Sequence, residues 1–405
     1  MAKQGAKGVV PRLRFPEFLG GEGWCATSLR RLTDLITKGT TPTSIGFQFV
    51  DQGINFIKIE SIRDGAIDLS KMSAISDECH DALKRSQLKD GDLLFSIAGA
   101  LGVTAVVDES ILPANTNQAL AIIRLKNRRS LGFIEKYLTT RAIESEIEKI
   151  RAGAAQPNIS LAQVGDFSIA LPSLPEQQKI ADCLTSLDEV IAAQGRKVEA
   201  LKAHKRGLMQ QLFPREGETR PRLRFPEFRN APEWEEESVS ALISTVTPPK
   251  KIATSGYKSS GRLAIVDQSP VAVCGWTDDL SAKVDASLPL LVFGDHTCVL
   301  KLVEHDFAQG ADGIKIISAK PRIDIRFLFF GLQADPIVSS SYRRHFSLLQ
   351  EKSLALPRDA AEQQRIADCL SSLDTRITAE TQQLAALKTH KQGLMQQLFP
   401  APAEG

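Results

Sequence analysis

From Glu176 to Pro214, and again from Glu362 to Pro400, the sequence repeats one amphipathic segment in which roughly two positions in three are identical. Each copy sets apolar residues at alternating steps of four and three, the seam of a coiled coil. In the first copy these are Ile180, Leu184, Leu187, Ile191, Val198, Leu201, Leu208 and Leu212; in the second, Ile366, Leu370, Leu373, Ile377, Leu384, Leu387, Leu394 and Leu398. Gln194 and Glu380 interrupt the seams at matching positions, as do Lys205 and Lys391, and polar seam residues fix register at some cost in stability. Pro175 and acidic first-turn residues mark the helix start, and Phe-Pro at Pro214 and Pro400 marks the stop. At 1.5 Å per residue each helix spans about 55 Å. No helix that long buries its seam alone. The simplest cover is its own copy, and because the chain returns through intervening sequence, the pair is expected to be antiparallel, with one domain near each end.

A second duplication frames the first. PRLRFPEF stands at Pro11–Phe18 and, letter for letter, at Pro221–Phe228, each box followed by a tryptophan, Trp24 and Trp234. Residues of about 30–172 and 240–356 show little likeness to each other, so the order is variable, repeated, variable, repeated. The expected domains are 1–172, 173–214, 215–357 and 358–405. The first variable region reads as strands at 54–59, 91–96, 104–107 and 120–125 followed by a helix at 131–150; the second as strands at 290–293, 298–302 and 313–317 followed by a helix at 325–334. The fold class is therefore α/β in the α+β sense: two mixed globular domains joined by two long antiparallel coiled-coil spacer helices, an internal pseudo-twofold repeat. The apolar tails Leu208–Phe213 and Leu394–Phe399 outlast the seam, and are expected both to cap the helices against the domains and to meet a partner.

Composition excludes little by itself. The 50 basic residues nearly balance 48 acidic ones, so any nucleic-acid surface must come from the placement of charge. The six cysteines (Cys25, Cys79, Cys183, Cys274, Cys298, Cys369) are scattered singly, which fits a reducing cytoplasm. No export signal and no membrane-spanning run is seen, so neither secretion nor membrane insertion is expected.

With these boxes in their order, the chain resembles the specificity subunits of type I restriction-modification systems over nearly its whole length. The resemblance rests on the PRLRFPEF boxes with their tryptophans, Gly91-Asp92-Leu93-Leu94, Gly310-Ala311-Asp312-Gly313, Phe293-Gly294-Asp295-His296-Thr297 followed by Lys301, and Leu171-Pro172-Ser173-Leu174-Pro175-Glu176-Gln177-Gln178. The second helix box departs from the pattern, being preceded by Leu356-Pro357-Arg358-Asp359-Ala360-Ala361. The resemblance implies two recognition domains reading a bipartite double-stranded DNA target, and helices that set the unread gap. It also implies two modification methyltransferase subunits, with restriction motor-nuclease subunits as further partners. S-adenosylmethionine, ATP and Mg would sit on those partners, and this chain would carry no cofactor.

Base reading calls for amides and cationic groups at groove edges, with basic or small polar donors for phosphates. In the first domain the candidates are Lys38, Thr40, Thr41, Lys58, Ser61, Arg63, Asn115, Thr116, Asn117, Gln118, Gln156 and Asn158. In the second they are Lys250, Lys251, Lys258, Arg262, His296, Lys301, Gln309, Lys315, Arg343, Arg344 and His345. Catalytic patterns are missing. The lone Pro-Pro, Pro248-Pro249, lies outside an adenine-methyltransferase loop, and Gly99-Ala100-Leu101-Gly102-Val103 lacks the lysine of a phosphate-cradling loop. Cys274, His296, Cys298 and His305 have no close-ligand spacing for zinc. The competing readings are a stand-alone DNA-modifying enzyme, which would act without partners, and a coiled-coil scaffold, which would have no sequence-dependent DNA affinity.

Overall fold

The computed structural model describes residues 8–63, 65–152, 158–215, 217–311, 313–337 and 345–401. The chain packs as two compact units, one formed by 1–193 with 384–405 and the other by 194–383. Each long helix, Leu174–Leu212 and Ala360–Leu398, begins in one unit and ends in the other.

In the first unit, β1 (Cys25–Ser28), β2 (Thr33–Lys38), β3 (Ile54–Ile57), β4 (Ser73–Ile75), β5 (Leu93–Ser96), β6 (Thr104–Val106), β7 (Ala114–Thr116), β8 (Leu120–Leu125) and β9 (Ser168–Leu171) build three sheets. A four-stranded antiparallel sheet has the order β2-β8-β5-β6. A three-stranded sheet has the order β4-β3-β7, with β3 and β7 parallel, and β1 pairs with β9. The second unit uses β10 (Glu235–Ser238), β11 (Ile243–Val246), β12 (Leu263–Val266), β13 (Gly275–Thr277), β14 (Leu290–Gly294), β15 (Leu300–Val303), β16 (Phe307–Gln309), β17 (Ile314–Ala319) and β18 (Ser353–Leu356). Its sheets have the orders β11-β17-β14-β15, β13-β12-β16 and β10-β18. β12 and β16 are again parallel. Duplication therefore extends through the regions whose sequences have diverged.

The apolar runs that predict strands are continuous because each four-stranded sheet separates two cores. Leu93, Phe95, Ala121 and Ile123 face a core containing Trp24 and Phe133, whereas Leu94, Leu120 and Ile122 face one containing Ile57 and Ile111. The strand's two-residue period sorts them, and a slip of one residue would exchange the cores. Leu291 and Phe293 against Leu290 and Val292 repeat the division. One expectation changes: the helix predicted over 131–150 is two helices, Leu131–Tyr137 and Arg141–Arg151. The helix predicted at 325–334 is found as Ile325–Ala334.

The repeated boxes clamp the helix starts. Glu176 accepts two hydrogen bonds from Arg14 at 2.7 Å and one from Trp24 Nε1 at 3.3 Å. Arg14 also donates to the Gly21 and Glu22 carbonyls, both at 3.0 Å. Glu362, Arg224 and Trp234 repeat the arrangement, with Ala231 and Pro232 supplying the carbonyls. Both pairs are buried, their carboxylates 1% exposed. Burying an ion pair costs solvation, and these offset the cost with bidentate geometry, extra donors and a carboxylate at a helix N-terminus. Hydrogen bonding to Glu176 and to Glu362 raises the pKa of Arg14 and Arg224, respectively.

In each unit the start of one long helix lies antiparallel to the end of the other, as the seams predict. In the first, Lys391 Nζ lies 2.5 Å from the Asp188 carboxylate, and Leu398 joins Ile180 and Leu184 in the core. Lys136 also reaches Asp188 at 2.8 Å; burial works to raise this acid's pKa, but the two ammonium groups outweigh it and the pKa is lowered. In the second, Lys205 Nζ lies 2.6 Å from Asp374, Gln194 donates to the Glu380 carboxylate at 2.7 Å, and Leu212 packs with Ile366 and Leu370. None of the seam residues is exposed; Leu187, Ile191, Leu201, Leu208, Leu373, Ile377, Leu384, Leu387 and Leu394 are half-buried.

The apolar tails do cap the domains. Phe399 packs on Trp24, Phe133 and Tyr137 in the first unit, and Phe213 on Trp234 and Phe327 in the second. The amino-terminal domain is thus completed by the last turn of the carboxy-terminal helix. Phe399→Ala is expected to destabilise the first unit by about 3–5 kcal/mol. Hydrogen exchange will then rise across 24–170 and stay unchanged across 234–356; equal loosening of both units would contradict the assignment.

Candidate nucleic-acid interface

In the first unit the candidates gather where β2 and β7 end. Gly39 is required there: a Cβ would sit 1.9 Å from the Thr116 carbonyl oxygen. That approach lets the Thr40 N–H donate to the same oxygen at 3.1 Å. The Thr41 hydroxyl hydrogen-bonds the exposed Gln118 side chain, and exposed Arg85 donates to Thr40 Oγ1 at 3.2 Å. With exposed Lys38 alongside in sequence, this edge offers an amide, two hydroxyls and two cations. Asn117 serves the turn, accepting from the Ala119 N–H at 3.1 Å. Lys58 lies 4.1 Å from the centre of the Phe49 ring.

Other first-unit candidates are placed differently. Arg63 is exposed on a separate hairpin, Ile62–Arg63 with Ala66–Ile67, and Asn158 is exposed before the helix Leu161–Asp166. Gln156, Arg343 and Arg344 lie outside the described residues. Ser61, Asn115 and Thr116 are fully buried and do not offer groove-edge groups. Ser61 Oγ donates to the Lys71 carbonyl at 3.0 Å and accepts from the Lys58 N–H at 3.2 Å. Asn115 donates to Leu83 O at 3.2 Å and Ser86 Oγ at 2.9 Å, and contacts His80, while Thr116 donates to Ile57 O at 2.9 Å. Their polarity satisfies distant backbone, as buried polar groups must.

In the second unit, Lys250, Lys258 and Arg262 surround the edge strand β13. Lys250 pairs with Asp279 at 2.5 Å, Lys258 with Asp278 at 2.8 Å, and the Arg262 N–H donates to Asp278 at 3.2 Å. Trp276, 36% exposed, stands on the same strand with its backbone paired to Lys258. Lys251 pairs through its backbone with Gln309. Four further candidates carry structural duties. Gln309 is buried in β16, and buried His345 bonds Asp295 through its backbone N–H and ring. Lys301 donates to the Asp267 and Val271 carbonyls at 2.7 and 2.6 Å, and burial lowers its pKa. Lys315 lies 5.5 Å from the centre of the Phe346 ring. His296 is half-buried.

Motif acids prove to be braces. Asp92 takes a bidentate ion pair from Arg124 at 2.7 Å, and Asp295 accepts the His345 and Phe346 N–H groups, both at 2.9 Å. Tyr257 holds the glycine turn after β16: its hydroxyl accepts the Ala311 N–H at 2.9 Å, and a Cβ on Gly310 would lie 2.2 Å from it. Burial pushes the Tyr257 hydroxyl up to about 12 and the Cys274 thiol up to about 11, so both stay protonated near neutral pH. Arg85, Tyr257 and Trp276 were not among the sequence candidates; Trp276, an aromatic between Lys258 and a pair of aspartates, was the most visible signal.

Residues 27–203 match the family model for the type I restriction modification DNA specificity domain. A putative type I restriction enzyme MjaX specificity subunit of Methanocaldococcus jannaschii is 24% identical over 414 aligned positions, covering 93% of each chain. Over nearly its whole length the chain is thus similar to a type I restriction enzyme specificity subunit. The EcoBI specificity subunit of Escherichia coli is 28% identical over a shorter stretch, 32% of this chain and 28% of that one. The fold is shared with the S subunit of M. genitalium, at a TM-score of 0.62 and 14% identity, covering 97% of this chain and 99% of that one. A chain from a structure concerned with complex assembly and conformational transition of the type I R-M system gives a TM-score of 0.53 at 17% identity, covering 96% and 100%. Among the described residues no helix is long and apolar enough to cross a membrane.

The burial of Asn115 gives a direct check. Asn115→Ala is expected to cost the first unit about 1–3 kcal/mol by leaving buried partners unpaired, measured by urea unfolding. A stability-neutral variant with altered DNA sequence preference would restore Asn115 to the reading surface.

Proposed function

We propose that this chain is the non-catalytic DNA-reading subunit of a type I restriction-modification complex. Each unit reads one half of a bipartite double-stranded target, and the long helices set the unread gap. Two modification methyltransferase subunits dock on the chain, with restriction motor-nuclease subunits joining them, and those partners hold S-adenosylmethionine, ATP and Mg. The observation that carries the reading is one topology used twice with unlike loop chemistry: threonines, an amide and Arg85 in one unit, lysines, aspartates and Trp276 in the other. A shared frame with different edge groups suits two different half-sites.

Lys38, Thr40, Thr41, Arg85 and Gln118 are assigned to the first half-site, and Lys250, Lys258, Arg262 and Trp276 to the second. The lysines already paired with Asp278 and Asp279 exchange a carboxylate for a phosphate on binding, and each phosphate so neutralised contributes to the salt dependence of affinity. Exchange of residues 30–172 for the corresponding region of another family member tests the reading. Methylation by the complex is expected to change in one half-site and stay the same in the other; change in both halves would contradict independent reading.

A further inference from the structure

Asn115 is buried, and every hydrogen-bonding atom of its side chain is engaged. Nδ2 donates to the Leu83 carbonyl at 3.2 Å and to Ser86 Oγ at 2.9 Å, which leaves the amide oxygen facing His80. An amide oxygen only accepts, so His80 Nδ1 carries the proton. All three contacts fall on one stretch of chain. His80 lies on the helix Asp77–Ala82, and Leu83 and Ser86 bound the 3-10 turn Lys84–Ser86. Gln87 closes that stretch on itself, donating from Nε2 to the His80 carbonyl at 2.9 Å. Lys84 and Arg85 are the exposed residues of the turn, and Arg85 reaches Thr40. Thr40 in turn hangs by its N–H from Thr116, the next residue along β7. Two neighbouring buried residues therefore hold the two sides of the Arg85–Thr40 contact.

The second unit supplies a comparison within one chain. There the 3-10 turn Leu280–Ala282 lies on β16 as Lys84–Ser86 lies on β7. Lys283 bridges Ala308 as Gln87 bridges Asn115, and the Val284 and Leu88 N–H groups donate to Phe307 and Ala114, both at 2.9 Å. Ala308 and Ala282, both buried, take the places of Asn115 and Ser86. That turn is held by the residue before it: Asp279 accepts from the Ser281 N–H at 3.1 Å and hydroxyl at 2.5 Å, and also pairs with Lys250. Leu83 stands at the same place before the first unit's turn and has no polar side chain to cap it. The strand and turn thus come together over two alanines as well as over an amide and a hydroxyl. What differs is how the turn is tied and which edge cation the tie serves, Arg85 in one unit and Lys250 in the other.

We propose that Asn115, together with Ser86, is a positioning residue for the first half-site: it stays inside the unit and sets where the Arg85 guanidinium stands beside Thr40. A long side chain on an exposed turn loses conformational freedom when it binds, and a turn fixed beforehand lowers that cost. The proposal rests on the functional reading above, which assigns Arg85 and Thr40 to the first half-site. It gives the buried amide an effect on base preference without a contact to DNA.

The test uses the full chain assembled with its methyltransferase subunit, and duplexes carrying the motif that the unaltered complex methylates. Arg85→Ala is expected to weaken binding by about tenfold and to flatten the preference among duplexes altered in the first half-site. Ser86→Ala with Asn115→Ala, which installs the second unit's pair of alanines, should weaken binding by about three- to tenfold and flatten the same preference, with the second half-site read as before. In an Arg85→Ala background the alanine pair should cost less than about twofold more, because the group it positions is gone. Urea unfolding separates this from folding. Adding Ser86→Ala to Asn115→Ala should recover part of the lost stability, by removing a partner left unpaired, and none of the affinity. Ser86→Ala alone, which keeps the bonds to Leu83 and His80, shows the same dependence on Arg85 in smaller measure should the pair fail to fold. Unchanged affinity and preference in the alanine pair, or an equal loss with and without Arg85, would overturn the positioning role and leave the functional reading intact. Unchanged binding in Arg85→Ala would remove Arg85 from the half-site and the positioning role with it. An unaltered complex that binds all duplexes alike would overturn the functional reading itself.

Discussion

A 39-residue helix with an apolar seam has to be covered along its whole length, and no single small domain does that. Here each helix is covered by the other, half in one compact unit and half in the next. Everything else follows from anchoring the four helix ends. The starts are held by Arg14–Glu176 and Arg224–Glu362, and the finishes by Phe399 against Trp24 and Phe213 against Trp234. Because each domain is closed by the far end of the other half's helix, neither half of the sequence contains a complete unit.

This arrangement separates what must stay constant from what is free to vary. The boxes, tryptophans and helix ends form one frame in both units. Beyond the four-stranded sheet, a second core supports the parallel pair β3 and β7, or β12 and β16, and the polar loops at their ends. Loop side chains there differ completely between the units while the strand order stays the same. Under the proposed function, specificity rests on residues that the frame does not depend on.

Much of the frame was legible in the sequence, because a seam has a period and a duplicated box is its own control. Ile180 to Leu212 and Ile366 to Leu398 fall inward as their spacing requires, and Gln194 meets Glu380 as matched interruptions should. The acidic first turn was visible, but its partner was not, since Arg14 lies 162 residues from Glu176. The loops were harder to read. Ser61, Asn115, Gln309 and His345 have the chemistry of groove readers, yet each is buried, three of them with side chains bonded to groups that no local pattern reveals. Arg85 was missed for the converse reason: its place beside Thr40 depends on a contact across 45 residues. The common topology of the variable regions was invisible because strand order is set by which faces are buried, and different residues bury them equally well.

Under the proposed function, two unlike units read two unlike sequences at a set separation. Methylation-sensitive sequencing of DNA from cells carrying this chain with its methyltransferase subunit tests it most directly. One modified motif is expected, with two different specified halves flanking a gap of constant length. A continuous motif, halves at variable spacing, or no sequence preference would contradict it.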